Sequence, residues 1–191
     1  SSSCARDAST AFSQNGEKIR IAILKGAKDL KIQGAVSAEA AGYVLSLQPD
    51  KAAFSIALEE SGALTVNNSK IAGPSITFSS ESGTLYLNNR PFRGKIEVLK
   101  DQNGLLVVNE LPLEFYVAGL INHEISSKWP IEAVKAQAVI ARTYALYQKK
   151  KRMAGAYHME STVADQVYSG SIAEDDRSFY AVKETIGEVL T

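Results

Sequence analysis

Along residues 19–89, apolar and polar positions alternate in short runs, and glycines at 26, 34, 42, 62, 73 and 83 separate them. A period of two is what a half-buried strand requires. The pattern predicts strands at 19–24, 30–33, 43–47, 53–58, 63–67, 75–79 and 84–87, with Asn88-Asn89 turning the last into a hairpin. The period then changes. Residues 94–99 and 105–108 predict two more strands about a turn at Gln102-Asn103-Gly104. Pro112 opens a short helix from 113 to about 122, and Pro130 a longer one from 131 to about 152. The longer helix is Ala-rich, and Val134, Ala138, Ala141 and Ala145 form one stripe at helical spacing. A closing helix is expected from about Asp175 to Thr185. Residues 1–16 are Ser/Ala-rich without periodicity and are expected to form a flexible tail. The predicted fold class is α+β: a β-rich region at 17–89, then a mixed domain at 90–191 organised round the Ala-rich helix.

Composition narrows the function classes. The 21 Lys+Arg equal the 21 Asp+Glu, which argues against a nucleic-acid binder held by a broad basic field. A single cysteine, Cys4, excludes an intrachain disulfide and a zinc site built on several thiolates. No run has the apolar length needed to span a bilayer. The chain opens Ser-Ser-Ser-Cys without an initiator Met, which fits a processed terminus. Cys4 is a candidate lipid-anchor residue, although the residues before it lack the Leu-like position such a signal carries. Any membrane association is therefore expected only through an anchor or a lost signal.

The segment 122–130, NHEISSKWP, joins two helices and holds the only Trp, one of the two His and a carboxylate. A connection between rigid elements is a good place for a reactive acid, because the scaffold fixes it and the loop leaves access. His123-Glu124 starts like the zinc-protease motif H-E-x-x-H, but Ser127 stands where the second His is needed. There is no G-x-S-x-G elbow and no phosphate-binding glycine loop. What remains is carboxylate acid/base chemistry, with Glu124 beside the apolar Trp129 as the candidate. On composition alone, Glu124 reads as an exposed loop acid, and His123 as a hydrogen-bonded structural histidine rather than a proton shuttle. The run Lys149-Lys150-Lys151-Arg152 is either a polyanion contact or a solvated helix terminus that favours the helix dipole.

From about Arg90 onward the chain resembles the SpoIID/LytB family, the stage II sporulation protein D and amidase-enhancer proteins. The resemblance rests on RPFRG at 90–94, VNELPLEFY at 108–116, GLINHE at 119–124, WPIEAVKAQAVIARTYA at 129–145, DQVYSG at 165–170 and TIGEVL at 185–190. It covers about half the chain. His123 and Ile125 depart from the usual residues there. The chain stops at Thr191 where family members continue into further strands and a Gly-Gly segment, so a truncated catalytic domain is expected. The β-rich N-terminal half carries no matching motif. It is expected to serve as scaffold, or as a contact for partner or glycan.

The resemblance implies a secreted or cell-envelope protein acting on peptidoglycan, either as a lytic transglycosylase or as an enhancer of an N-acetylmuramoyl-L-alanine amidase. It implies that Glu124 is the catalytic acid. Some members bind zinc through Cys and His; without the cysteines, no metal and no other cofactor is expected here. A lone acid suffices if the sugar's own 6-hydroxyl is the nucleophile, and Glu124 then needs a pKa raised to roughly 6 by burial. Arg142 and Lys135 are expected either to bind sugar substituents or to pair with Glu114 and Glu132. Gln137 and Gln166 can donate and accept to sugar amides or to buried structural partners. Trp129, Tyr168 and Tyr144 can stack on sugar rings or pack in the core.

Overall fold

The computed structural model describes Phe12 and residues 16–46, 53–161 and 168–191. The fold is α+β, with two sheets and three helices among these residues. The chain divides into two compact units, residues 21–110 and residues 1–20 with 111–191.

The β unit forms because its alternation buries one side chain in two. One sheet has the order β1-β12-β11-β8-β3-β4, formed by Lys18–Ala27 (β1), Gly104–Pro112 (β12), Lys95–Asp101 (β11), Ser75–Ser79 (β8), Ser37–Ala40 (β3) and Tyr43–Ser46 (β4). The other has the order β10-β9-β2-β5-β6-β7, formed by Arg90–Arg93 (β10), Thr84–Leu87 (β9), Asp29–Gln33 (β2), Phe54–Leu58 (β5), Leu64–Val66 (β6) and Ser69–Lys70 (β7). Register pairs buried residues: Ile96 faces Phe78 and Val98 faces Ile76 in the first sheet. Leu30 faces Ile56 and Ile32 faces Phe54 in the second. The two apolar faces meet where the Phe54 and Phe78 rings lie 6.2 Å apart. Slipping any of these strands by one residue would turn its buried set outward.

Two hairpins turn on paired asparagines with positive φ, Asn67-Asn68 and Asn88-Asn89. Asn tolerates that region, and the turn twist matches the strands. Each first Asn also binds a neighbouring strand, Asn67 Oδ1 accepting from Ser55 N and Asn88 Oδ1 from Lys31 N, both at 2.9 Å. Asn109, fully buried, donates from Nδ2 to the carbonyls of Arg93 and Lys95 at 2.8 and 2.9 Å. It ties β12 across the turn between β10 and β11. Gly104 has φ +135°, and a Cβ there would lie 2.6 Å from the Ala27 carbonyl oxygen. Gly104→Ala is expected to cost about 1–3 kcal/mol of stability, read as a lower denaturant midpoint.

In the other unit, Leu113–Glu124 (α1), Ile131–Lys151 (α2) and Asp176–Glu184 (α3) pack together. Pro112 and Pro130 stand at the first two helix starts, as expected. The short strand Met159–Glu160 (β13) lies beside the first residues of β1, where His158 N donates to Arg20 O at 2.9 Å.

Two expectations about organisation meet a different arrangement. β11 and β12 belong with the β unit, because β11 pairs with β8 as well as with β12. The compact units therefore part near Glu110, not near Arg90. Within the expected tail, Phe12 is buried, its ring 5.1 Å from Phe115 and 5.8 Å from Phe179. Composition alone does not mark this ring as a core residue. The strands β3, β7 and β13 were not expected, and all are short, with at most four residues; β10 is the second strand of the hairpin expected at Asn88-Asn89.

Candidate functional site

α1 is apolar almost all round, and Leu113, Phe115, Tyr116, Val117, Ala118, Gly119, Leu120 and Ile121 are buried. Such a helix runs through a core. Its last turn emerges, and His123 and Glu124 are exposed there. Ile125 ends the helix in an extended conformation while its N–H still bonds to the Ile121 carbonyl at 2.9 Å. The chain then crosses residues 125–130 to Pro130 at the start of α2.

That crossing is held by a polar knot. Asn122 Oδ1 accepts from Ser127 N at 2.8 Å, and Asn122 Nδ2 donates to Asp175 Oδ2 at 2.9 Å. Ser127, itself buried, donates its hydroxyl to the same Asp175 oxygen. The other Asp175 oxygen accepts from Ser178 N at 2.7 Å, while the Ser178 hydroxyl accepts from Asp175 N at 3.0 Å. This is a capping box on α3, satisfying two otherwise unpaired helix-end donors. Arg177 completes the knot, donating to the carbonyls of Ser127 at 2.6 Å and Trp129 at 2.8 Å. The first turn of α3 thus fixes the loop that follows Glu124.

Burial works to raise the Asp175 pKa, but the hydrogen bonds from Ser127, Ser178 and Asn122 outweigh it and hold the carboxyl below its ordinary value. The sign follows. A lowered folded value makes the knot's extra stability present above the ordinary Asp range and lost as pH falls through the lowered value. Acid should therefore release the loop. Trp129, the only tryptophan, reports it. We expect a step in its emission below the ordinary Asp value, and no such step in Asp175→Asn.

The expected site residues separate into two groups. His123, Glu124 and Trp129 share the loop region, and Trp129 is 54% exposed. Glu124 is exposed, so the burial expected for it beside Trp129 is absent from the free protein. Lys135 lies farther along α2, hydrogen-bonded to Glu132 at 3.1 Å and 5.6 Å from the Tyr180 ring. The hydrogen bond to Glu132 raises its pKa above the ordinary value, which keeps it a cation. Gln137 is half-buried on the same helix. Gln166 lies outside the described residues.

Arg142 and Tyr168 are elsewhere. Arg142 is only 1% exposed and holds Glu114 through Nε at 3.0 Å and Nη2 at 2.7 Å. Glu114 is in the first turn of α1 and Glu124 in the last, about 15 Å apart along the axis. Of the two roles expected for Arg142, the structure gives it the ion pair with Glu114 and not a place beside Glu124. Tyr168 is buried with its ring 5.2 Å from Tyr116, close against Gly119, where a Cβ would come within 3.0 Å of it. Its ring fills the core and is not open to stack on a sugar.

Sequence reasoning missed Asn122, Ser127, Asp175 and Arg177. Only one signal was available: Asp175 three residues before Ser178 is a helix-start pattern. Among the described residues, no group of three or more His, Cys, Asp and Glu side chains is placed to hold a metal ion. No helix among them is long and apolar enough to cross a membrane.

Comparison with known proteins bears on this geometry. Residues 101–191 match the SpoIID family model, described as stage II sporulation protein. The match contains α1, the knotted loop, α2 and α3, and it supports a cell-wall or sporulation-related role. An uncharacterized protein of Brachyspira hyodysenteriae (strain ATCC 49526 / WA1) is 40% identical over 88 residues, covering 42% of this chain and 24% of the relative. The chain spans about a quarter of that relative's length. No solved structure matches significantly.

Proposed function

We propose that this chain, whose residues 101–191 match the stage II sporulation protein family, acts on peptidoglycan glycan strands as a lytic transglycosylase with Glu124 as its acid/base. The family match carries the substrate class. The placement of Glu124 supports the residue: it ends a helix locked in the core and precedes a loop held by four polar side chains. A reactive group gains from rigid support with open access.

In the proposed reaction, Glu124 donates its proton to the glycosidic oxygen that leaves C1 of N-acetylmuramic acid. The C1–oxygen bond breaks through an oxocarbenium-like state. The 6-hydroxyl oxygen of the same sugar bonds to C1, and its proton passes to the Glu124 carboxylate. One 1,6-anhydro end and one free hydroxyl result, no water is consumed, and Glu124 is regenerated. The exposure of Glu124 in the free protein assigns the drying of the site to the substrate: the bound strand and the Trp129 ring must exclude the water. Catalytic contacts commonly tighten only in the complex. His123 and Lys135 are proposed to contact the sugar substituents beside the cut, and Gln137 and Gln166 the acetamido groups. A peptidoglycan substrate implies an extracytoplasmic protein.

The test is incubation with strands stripped of stem peptides, followed by analysis of the ends. Products bearing 1,6-anhydro ends are expected; strands left uncut would overturn the enzyme reading. The same exposure of Glu124 favours a second reading, a non-catalytic module that recruits or activates an amidase. Under that reading, wild type and Glu124→Gln stimulate peptide release by an N-acetylmuramoyl-L-alanine amidase equally.

A further inference from the structure

The outward face of α2 has a chemistry that core packing does not require. Its inward stripe, Val134, Ala138, Ala141 and Ala145, is buried. On a flank of the helix about a third of a turn from that stripe, Ile140, the half-buried Tyr144, Tyr147 and Lys151 follow at spacings of four, three and four, which aligns them in one row. Ile140 is 49% exposed and Tyr147 is 60% exposed. A soluble helix ordinarily turns charged residues to that side.

The row leads into an open cleft of about 430 Å³ at the end of the helix, lined among others by Lys151, Arg152, Tyr157 and Glu160. The cleft is built rather than loose. Gly155 N donates to Arg152 O at 3.0 Å, Arg20 Nε to Ala156 O at 2.8 Å, and Arg152 Nη1 to His158 O at 3.1 Å. The Tyr157 hydroxyl donates to Glu160 Oε1 at 2.8 Å, which orients both ring and carboxylate. Exposed rings offer flat apolar faces, a carboxylate accepts from hydroxyls, and Lys and Arg bind carboxylates. Lys150, Lys151 and Arg152 give this end a local positive charge on a chain of zero net charge. A ligand that is a polyol, partly apolar and anionic meets all three demands.

We infer that the outward face of α2, from Ile140 through Tyr147 to the cleft at Lys151 and Glu160, is a non-catalytic subsite for a carboxylate-bearing glycan strand. The inference rests on the glycan reading of the Glu124 loop and deepens it. A helix of 21 residues spans about 30 Å from the loop at its start to the cleft at its end. A strand gripped at both ends is held by contacts remote from the reacting bond, and its binding strengthens once it is long enough to bridge them.

The experiment titrates stem-peptide-free strands, fractionated by length, into the full chain carrying Glu124→Gln so that no cleavage occurs. The second protein carries Tyr147→Ala and Lys151→Glu in addition. The expected result is affinity that rises with strand length in the first protein. In the second the rise is lost, and long strands bind at least tenfold more weakly. Tyr147→Phe, which keeps the ring, should retain the rise, and this variant guards against loss through misfolding. Equal length dependence in the two proteins would overturn the inference while leaving the glycan reading intact. Affinity independent of length in the first protein would do the same. Failure of the first protein to bind strands of any length would overturn both.

Discussion

Arg142→Ala is expected to lower the free energy of unfolding by about 3–5 kcal/mol, the usual cost of removing one partner from a buried ion pair. The guanidinium is fully enclosed and serves two clients. It binds the Glu114 carboxylate through Nε and Nη2. It also reaches the C-terminal end of α3 and the segment beyond, donating to Glu188 O at 3.1 Å, Thr185 Oγ1 at 3.4 Å and Val182 O at 3.5 Å. Truncation leaves a largely buried carboxylate without its counter-charge and takes a donor from the Glu188 carbonyl beyond the end of α3. Arg142→Lys should recover only part of the loss, because an ammonium cannot match the planar fork of bonds. Chemical denaturation of both variants, with Glu114→Gln to close a double-mutant cycle, measures the effect. A change under 1 kcal/mol for Arg142→Ala would mean that the pair contributes little beyond its own desolvation cost. A substrate-binding Arg142 would behave differently, losing affinity at nearly unchanged stability.

That contrast shows where the sequence was and was not legible. The strand at 75–79 and the helix after Pro130 could be read because period and punctuation agree there: alternating Ile76 and Phe78 in one case, a proline followed by Ala-rich repeats in the other. The short strands at 37–40 and 69–70 could not, because so few residues carry no measurable period. Phe12 was hidden for a similar reason. A single ring in a polar stretch gives no pattern, yet it meets Phe115 and Phe179. Glu124 stood out because the residues around it match a family segment. Its exposure did not, since burial is a property of everything packed against a residue. The same holds in reverse for Arg142 and Tyr168, whose chemistry suits a sugar site but whose surroundings are core. Asp175 and Arg177 lie some 50 residues from the loop they hold, and no local rule joins them to Ser127.

Glu124→Gln is expected to reduce kcat for strand cleavage by about 10²–10⁴-fold, the contribution of one positioned general acid. The isostere keeps size and shape but can neither supply the first proton nor accept the second, so both halves of the proposed reaction fail together. Because Glu124 is exposed, the substitution should leave the denaturation midpoint in place, and strand affinity should change far less than kcat. Asp175→Ala provides the comparison that separates chemistry from positioning. It removes the acceptor shared by Asn122 and Ser127 and half of the α3 capping box, so it should lower both stability and activity while Glu124 itself remains intact. Its remaining activity should still depend on the Glu124 carboxyl, so adding Glu124→Gln to it should abolish the remainder. If instead wild type and Glu124→Gln form 1,6-anhydro ends at the same rate, the acid lies elsewhere. If neither forms them while both stimulate an amidase, the rigid loop is a docking element whose contact does not depend on the Glu124 charge.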